Sequence, residues 1–120
     1  MISGVKAVVL DTNALLMPFQ FKINIDSEID RLLGGVEVLV PSSVIEELTK
    51  LKDKNAKAAL SLSRKYRRVE VSNRGDAGVI EAAREHSAPI ITNDQELIEI
   101  LKKSSIPAIR MRGCQHLDFV

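Results

Sequence analysis

Apolar positions in this chain fall into short runs separated by segments with helical spacing. Val5–Leu10 is nearly continuous in apolar residues, interrupted only by Lys6 and closed by Asp11. That pattern predicts a strand buried on both faces. Asp26–Leu33 (DSEIDRLL) has helical spacing and meets a stop signal at Gly34-Gly35. Val36–Val40 (VEVLV) predicts a second strand closed by Pro41, and Ser42 or Ser43 can cap the helix that follows. No Gly or Pro lies between Ser42 and Ser72, so helix is expected through most of Val44–Arg67, with a break near Asp53 as the alternative. Beyond it, Val69–Val71, Pro89–Ile91 and Ala108–Met111 read as strands, and Asp76–His86 and Gln95–Lys103 as helices. The alternation implies an α/β fold: a doubly wound parallel β-sheet of about five strands with helices on both faces.

In such sheets ligands bind beyond the carboxyl ends of the strands, near the point where strand order reverses. This gives meaning to four acids. Asp11 follows the first strand directly, and Asp94 comes shortly after the fourth. Glu47 lies one turn into the helix after the second strand, and Asp76 opens the helix after the third. Each has a bland reading as a helix cap or first-turn acid, but four on one sheet edge form a cluster. Helical projection at about 100° per residue places Asp76 near the centre of the face defined by Val79, Ile80, Ala82 and Ala83. It sets Glu47 at the margin of the buried face, while Glu46 points outward and pairs with Lys50.

Composition bounds the rest. With 120 residues, the chain is expected to form one domain spanning 1–120. Its 45% hydrophobic and 28% charged content is ordinary globular usage rather than disorder. The single cysteine, Cys114, excludes an internal disulfide and suits a reducing cytoplasm. No apolar run approaches the roughly 18 residues that span a bilayer. The 17 basic and 16 acidic residues nearly cancel, but eight of the basic ones fall between Lys50 and Arg68. On one continuous helix, Lys50, Lys54, Lys57, Arg64 and Arg68 would project within about 40° of one line and could track an RNA backbone. A solvated helix face explains them equally. Aromatics are scarce, so base stacking does not dominate recognition; Phe19 and Phe21 default to core packing, with an RNA contact or dimer surface as the alternatives. His86 and His116 are placed outside the site.

Four ordered segments carry a family resemblance: VVLDTNALL (Val8–Leu16), VPSSVIEEL (Val40–Leu48), GDAGVIEAA (Gly75–Ala83) and IITNDQEL (Ile90–Leu97). In order and spacing they resemble a PIN domain over about the whole chain. The likeness is strongest to small stand-alone prokaryotic PIN proteins, which include VapC-type toxins and relatives of ribosome-biogenesis nucleases. The resemblance implies Mg²⁺ or Mn²⁺, cleavage of single-stranded or loop RNA, and frequent homodimers. An antitoxin or a ribosomal component would then be the protein partner. It also implies that Asp11, Glu47, Asp76 and Asp94 bind the metal, with Asn13 and Thr92 as polar neighbours behind them.

The residue types agree with that chemistry. Mg²⁺ is a hard cation that favours carboxylate and water oxygens. Phosphodiester hydrolysis needs an activated water, charge neutralisation and leaving-group stabilisation, which carboxylate-held metal supplies without a nucleophilic side chain. A metal-dependent endoribonuclease is therefore expected. The main rival is a catalytically silent RNA- or protein-binding scaffold in ribosome assembly. A phosphoacceptor receiver domain ranks lower, because the first strand ends in a lone Asp11 and the fifth in Arg110-Met111-Arg112. A haloacid-dehalogenase-type phosphatase would want Asp at position 13, where this chain has Asn.

Overall fold

A computed structural model describes residues 4–120. The elements run β1 (Ala7–Leu10), α1 (Thr12–Gln20), α2 (Ile25–Leu33), β2 (Glu37–Pro41), α3 (Ser42–Lys50) and α4 (Ala56–Ser63). They continue with β3 (Arg67–Val69), α5 (Gly75–His86), β4 (Ile90–Ile91), α6 (Gln95–Lys103), β5 (Ala108–Arg112) and β6 (His116–Phe119). The strands form a sheet in the order β3-β2-β1-β4-β5-β6. All neighbours are parallel except β5 and β6, which pair antiparallel as a hairpin. The sheet is thus the expected doubly wound one, extended by an antiparallel sixth strand beyond the anticipated five.

The middle of this sheet is its driest part. Every residue of β1 is buried, and Leu10, Leu39, Ile90, Ile91 and Ile109 are sealed from solvent. Each such aliphatic side chain contributes roughly 1.5–3 kcal/mol of transfer free energy. Helix α5 lies against β1 and β2 and also meets α3; α6 packs on β5, and α2 on β6. From β1 the chain steps outward to β2 and β3, then crosses back to β4 on the other side of β1. The switch point therefore falls between β1 and β4, and Asp11 and Asp94 stand beyond their carboxyl ends. Among the described residues no helix is long and apolar enough to cross a membrane.

Several local expectations are corrected. Of the two readings of Val44–Arg67, the break near Asp53 holds and the continuous helix does not. Leu51 leaves α3 in extended backbone, and Asp53 Oδ1 accepts the Asn55 N–H at 2.7 Å, a tight turn that restarts the chain as α4. The basic stripe is broken with it: Lys50 ends α3, Lys54 sits in the turn, Lys57 is on α4, Arg64 caps α4, and Arg68 is on β3. The third strand is Arg67–Val69 rather than Val69–Val71. Neither Ser42 nor Ser43 caps α3. Pro41 occupies the cap position, and Ser42 Oγ accepts the Val71 N–H at 3.0 Å. Phe19 and Phe21 are not core residues but are each 40% exposed, because they close α1 where it leaves the sheet.

Candidate active site

Both strand-end acids do the local work of capping. Asp11 is the N-cap of α1, and its Oδ1 accepts the Ala14 N–H at 2.7 Å. Asp94 is the N-cap of α6, and its Oδ1 accepts from Glu96 N at 3.0 Å and Leu97 N at 3.3 Å. These bonds hold each carboxylate rigidly through one oxygen. The capping reading and a cleft role are therefore compatible, since one oxygen serves each. Asp76 is different: the N-cap of α5 is Arg74, without a side-chain cap bond, and Asp76 stands in the first turn. Asp11, Glu47, Asp76 and Asp94 line one cavity of about 280 Å³, and Asp53 joins them from the α3–α4 turn.

A polar layer behind the acids fixes the loop after β4. The buried Thr92 hydroxyl accepts the Asp94 N–H at 3.0 Å. Asn13 Oδ1 accepts the Asn93 N–H at 2.8 Å, tying α1 to the same loop. Asn93 Oδ1 in turn accepts the Met111 N–H at 2.9 Å, anchoring the loop to β5. On the opposite wall, a Cβ at Gly78 would lie 2.5 Å from both Ser43 Oγ and Asn73 O. Only glycine lets α5 approach α3 this closely, and that approach brings Asp76 to the same cavity as Glu47. Ser43 Oγ, at the cavity wall, is buried without a hydrogen-bond partner among the described residues.

The electrostatics are one-sided. Among the described residues no Lys, Arg or His lines the cavity. Burial pushes the Asp11 carboxyl from 3.8 to about 7; Thr92 and the Ala14 N–H pull it down, and Asp76 and Asp94 push it further up. Asp76 is raised by partial burial, then by Asp94, Glu47 and Glu96. Among the described residues no three of these side chains stand close enough together, as placed, to hold a metal ion. The donor set is nonetheless hard carboxylate oxygen around an open space with unneutralised charge. It fits a divalent cation that keeps several of its waters, as Mg²⁺ does.

The structure brings all four acids to one cavity, with Asn13 lining it beside them and Thr92 buried behind. It corrects the reading of Asp76, which is exposed rather than buried: its helical face is the inward one, but the first turn of α5 opens onto the cleft. Glu46 does not line the cavity; its charge acts on Arg68 of β3 rather than pairing with Lys50. His116 sits outside the site, its Nδ1 3.3 Å from Glu28. Asp53, Ser43 and Gly78 were not named as site residues from sequence: Asp53 entered as a possible helix break and Ser43 as a possible cap. Gly78 leaves its own trace, as a glycine inside a helical pattern, which signals close packing.

A family model described as a PIN like domain matches residues 8–114. The chain belongs to this PIN-like domain family, which bears out the resemblance read from the four motifs. Among individual relatives, it is 35% identical over 123 residues to Ribonuclease VapC4 of Methanocaldococcus jannaschii, covering 92% of this chain and 94% of that one. It is 36% identical over 110 residues to Ribonuclease VapC9 of Archaeoglobus fulgidus, covering 86% and 81%. The solved structure of the PIN domain endonuclease Utp24 matches with a TM-score of 0.81 over 94% of this chain and 90% of that one, at 21% identity. At that identity it speaks for the fold alone.

Proposed function

We propose that the chain is a divalent-metal-dependent endoribonuclease acting on single-stranded or loop RNA in the cytoplasm. The observation that carries the reading is a cavity lined by carboxylates and by no cationic side chain, with Asp11 and Asp76 both pushed toward protonation. Folding does not relieve that repulsion, so a cation is the natural complement. Two relatives named as ribonucleases support the choice of substrate.

Asp11, Glu47, Asp76 and Asp94 would hold Mg²⁺ or Mn²⁺. When bound, the ion neutralises phosphate charge, activates water and stabilises the leaving oxygen. The chain's own part is positioning. Asp11 and Asp94 are immobilised by their capping bonds, and Thr92 and Asn13 hold the loop that carries Asp94. Glu47 and Asp76, from separate helices, close the opposite side of the cavity. No histidine or lysine lies beside Ser43 in the cavity to activate it as a nucleophile, so the attacking group is water. The test is incubation of the purified protein with end-labelled mixed-sequence RNA in Mn²⁺, Mg²⁺ or EDTA. Cleavage is expected with metal and absent in EDTA; intact RNA in every condition returns the silent-scaffold reading.

A further inference from the structure

The break that scatters the basic stripe builds something else. Leu51 and Asp53, in the turn between α3 and α4, are shared walls of two depressions: the acidic cavity and an adjoining groove of about 590 Å³. The groove's floor is aliphatic, with Leu60 half-buried and Leu51 37% exposed. Its rim carries Lys52, Lys54 and Lys57, all exposed. None of the three takes part in an ion pair among the described residues, whereas Lys65, Arg67 and Arg68 nearby each hold a carboxylate. Had the helix run on unbroken, Lys52 would project roughly 140–160° away from Lys57 and Lys54, on the other side of the helix. The Asp53 turn gathers them beside the acids instead.

We infer that this groove binds the stretch of single-stranded RNA adjoining the scissile phosphate. The inference rests on the nuclease reading above and names where its substrate lies. An acidic cavity repels a polyanion, so a strand reaching it needs cations at its approach, and the groove that shares Leu51 and Asp53 with the cavity supplies three. Phosphates face the lysines at the rim, and a ribose or base packs on Leu51 and Leu60 without an aromatic platform. The shared wall of Leu51 and Asp53 carries the chain directly from groove to cavity. Continuity with the cavity favours RNA over an acidic polypeptide, which matches the lysines in charge but brings no phosphodiester to the carboxylates.

The test uses the full chain with Ca²⁺ in place of Mn²⁺ and a fluorescent mixed-sequence oligoribonucleotide, titrated at several salt concentrations. The triple variant Lys52→Ala/Lys54→Ala/Lys57→Ala should bind about tenfold more weakly or worse, and its log–log salt slope should fall by up to about 2, at about 0.7 per lost contact. Its thermal melt should match wild type, since all three side chains are exposed. Lys102→Ala/Lys103→Ala, at the far end of α6, is the control and should bind as wild type. In Mn²⁺ the triple variant should raise KM for cleavage with kcat little changed. Unchanged affinity and slope overturn the inference, as does polyglutamate binding with the same lysine dependence while RNA shows none. Failure of wild type to cleave in any metal contradicts the nuclease reading alone, because the Ca²⁺ titration still reads the groove.

Discussion

Two acids of this molecule, Asp11 and Glu28, are both largely closed to solvent and are oppositely treated. Glu28, on α2, is 8% exposed and surrounded by donors. Its Oε1 accepts the Leu117 N–H at 2.8 Å and Arg31 Nη2 at 2.9 Å, and His116 approaches from β6. Arg31 also donates to the Leu117 carbonyl at 2.6 Å. The Glu28–Arg31 pair thus takes both backbone groups of Leu117 as a neighbouring strand would, and shields the open edge of the sheet. Arg31 above all holds the Glu28 carboxyl down at about 2. Asp11 is 6% exposed and is pushed up to about 7 by its burial and then by Asp76 and Asp94, with no cationic side chain among the described residues of its cavity. A structural acid is satisfied by the fold; an acid left short of partners beside other acids is kept for something the fold does not contain.

The largest effect that sharpens this contrast is on activity. Asp11→Asn, Asp94→Asn and Glu47→Gln should each lower metal-dependent RNA cleavage by more than the about 10–100-fold that loss of an outer-shell partner costs. Circular dichroism should show the fold retained. Near-wild-type cleavage by any of them removes that residue from the site. Glu28→Gln, by contrast, should leave the cleavage rate of the folded protein largely intact but cost roughly 1–3 kcal/mol of stability, read by urea denaturation, because a charged acceptor for Arg31 is lost. A fall in cleavage with unchanged stability would erase the distinction between the two acids.

The pH dependence of stability in EDTA should carry opposite signs at the two places. Glu28 has a folded value of about 2 against 4.5, so its contribution is complete above about pH 4.5 and is lost as pH falls toward 2. Asp11 has a folded value of about 7 against 3.8, so the folded state holds the proton and stability falls as pH rises from about 4 through 7. Denaturation midpoints across that range should show Asp11→Asn flattening the neutral limb and Glu28→Gln flattening the acid limb. The exchange of those two effects, or neither, contradicts the assignment. The smallest effect belongs to Glu46→Gln, which should leave cleavage unchanged and cost at most a few tenths of a kcal/mol, as exposed charges do.

Much of this contrast was legible before the structure, on one side only. Asp11 and Asp94 stood directly after apolar runs, and alternating elements force such residues to one edge of a parallel sheet. The Gly34 stop was equally plain, and α2 ends there with φ at 79°. Helix α1 was not delimited, because Pro18 sits inside it and Ala14–Met17 is apolar without helical period. The break near Asp53 was one of two open readings, because the turn carries no Gly or Pro and is made by a side-chain-to-backbone bond over two residues that no periodicity reports. Asp76 misled because a helical wheel gives direction but not what lies opposite. Its neighbours Val79 and Ala82 meet the sheet, while its own turn faces the cleft. Glu28 was invisible as a structural acid, since its partners Leu117 and His116 are nearly ninety residues away, on a strand not anticipated.

The claim that the unsatisfied acids await a cation is tested most directly by thermal melts of wild type and Asp76→Ala, in EDTA and in millimolar Mn²⁺. In EDTA the variant should melt at or above wild type, because it loses a repelled carboxylate that caps nothing. Mn²⁺ should raise the melting temperature of wild type by mass action, worth about 2.7 kcal/mol at a hundred times Kd, and that of Asp76→Ala much less. Equal metal-induced shifts in both proteins, together with a clear loss of stability for the variant in EDTA, would contradict the account and make Asp76 a structural acid like Glu28.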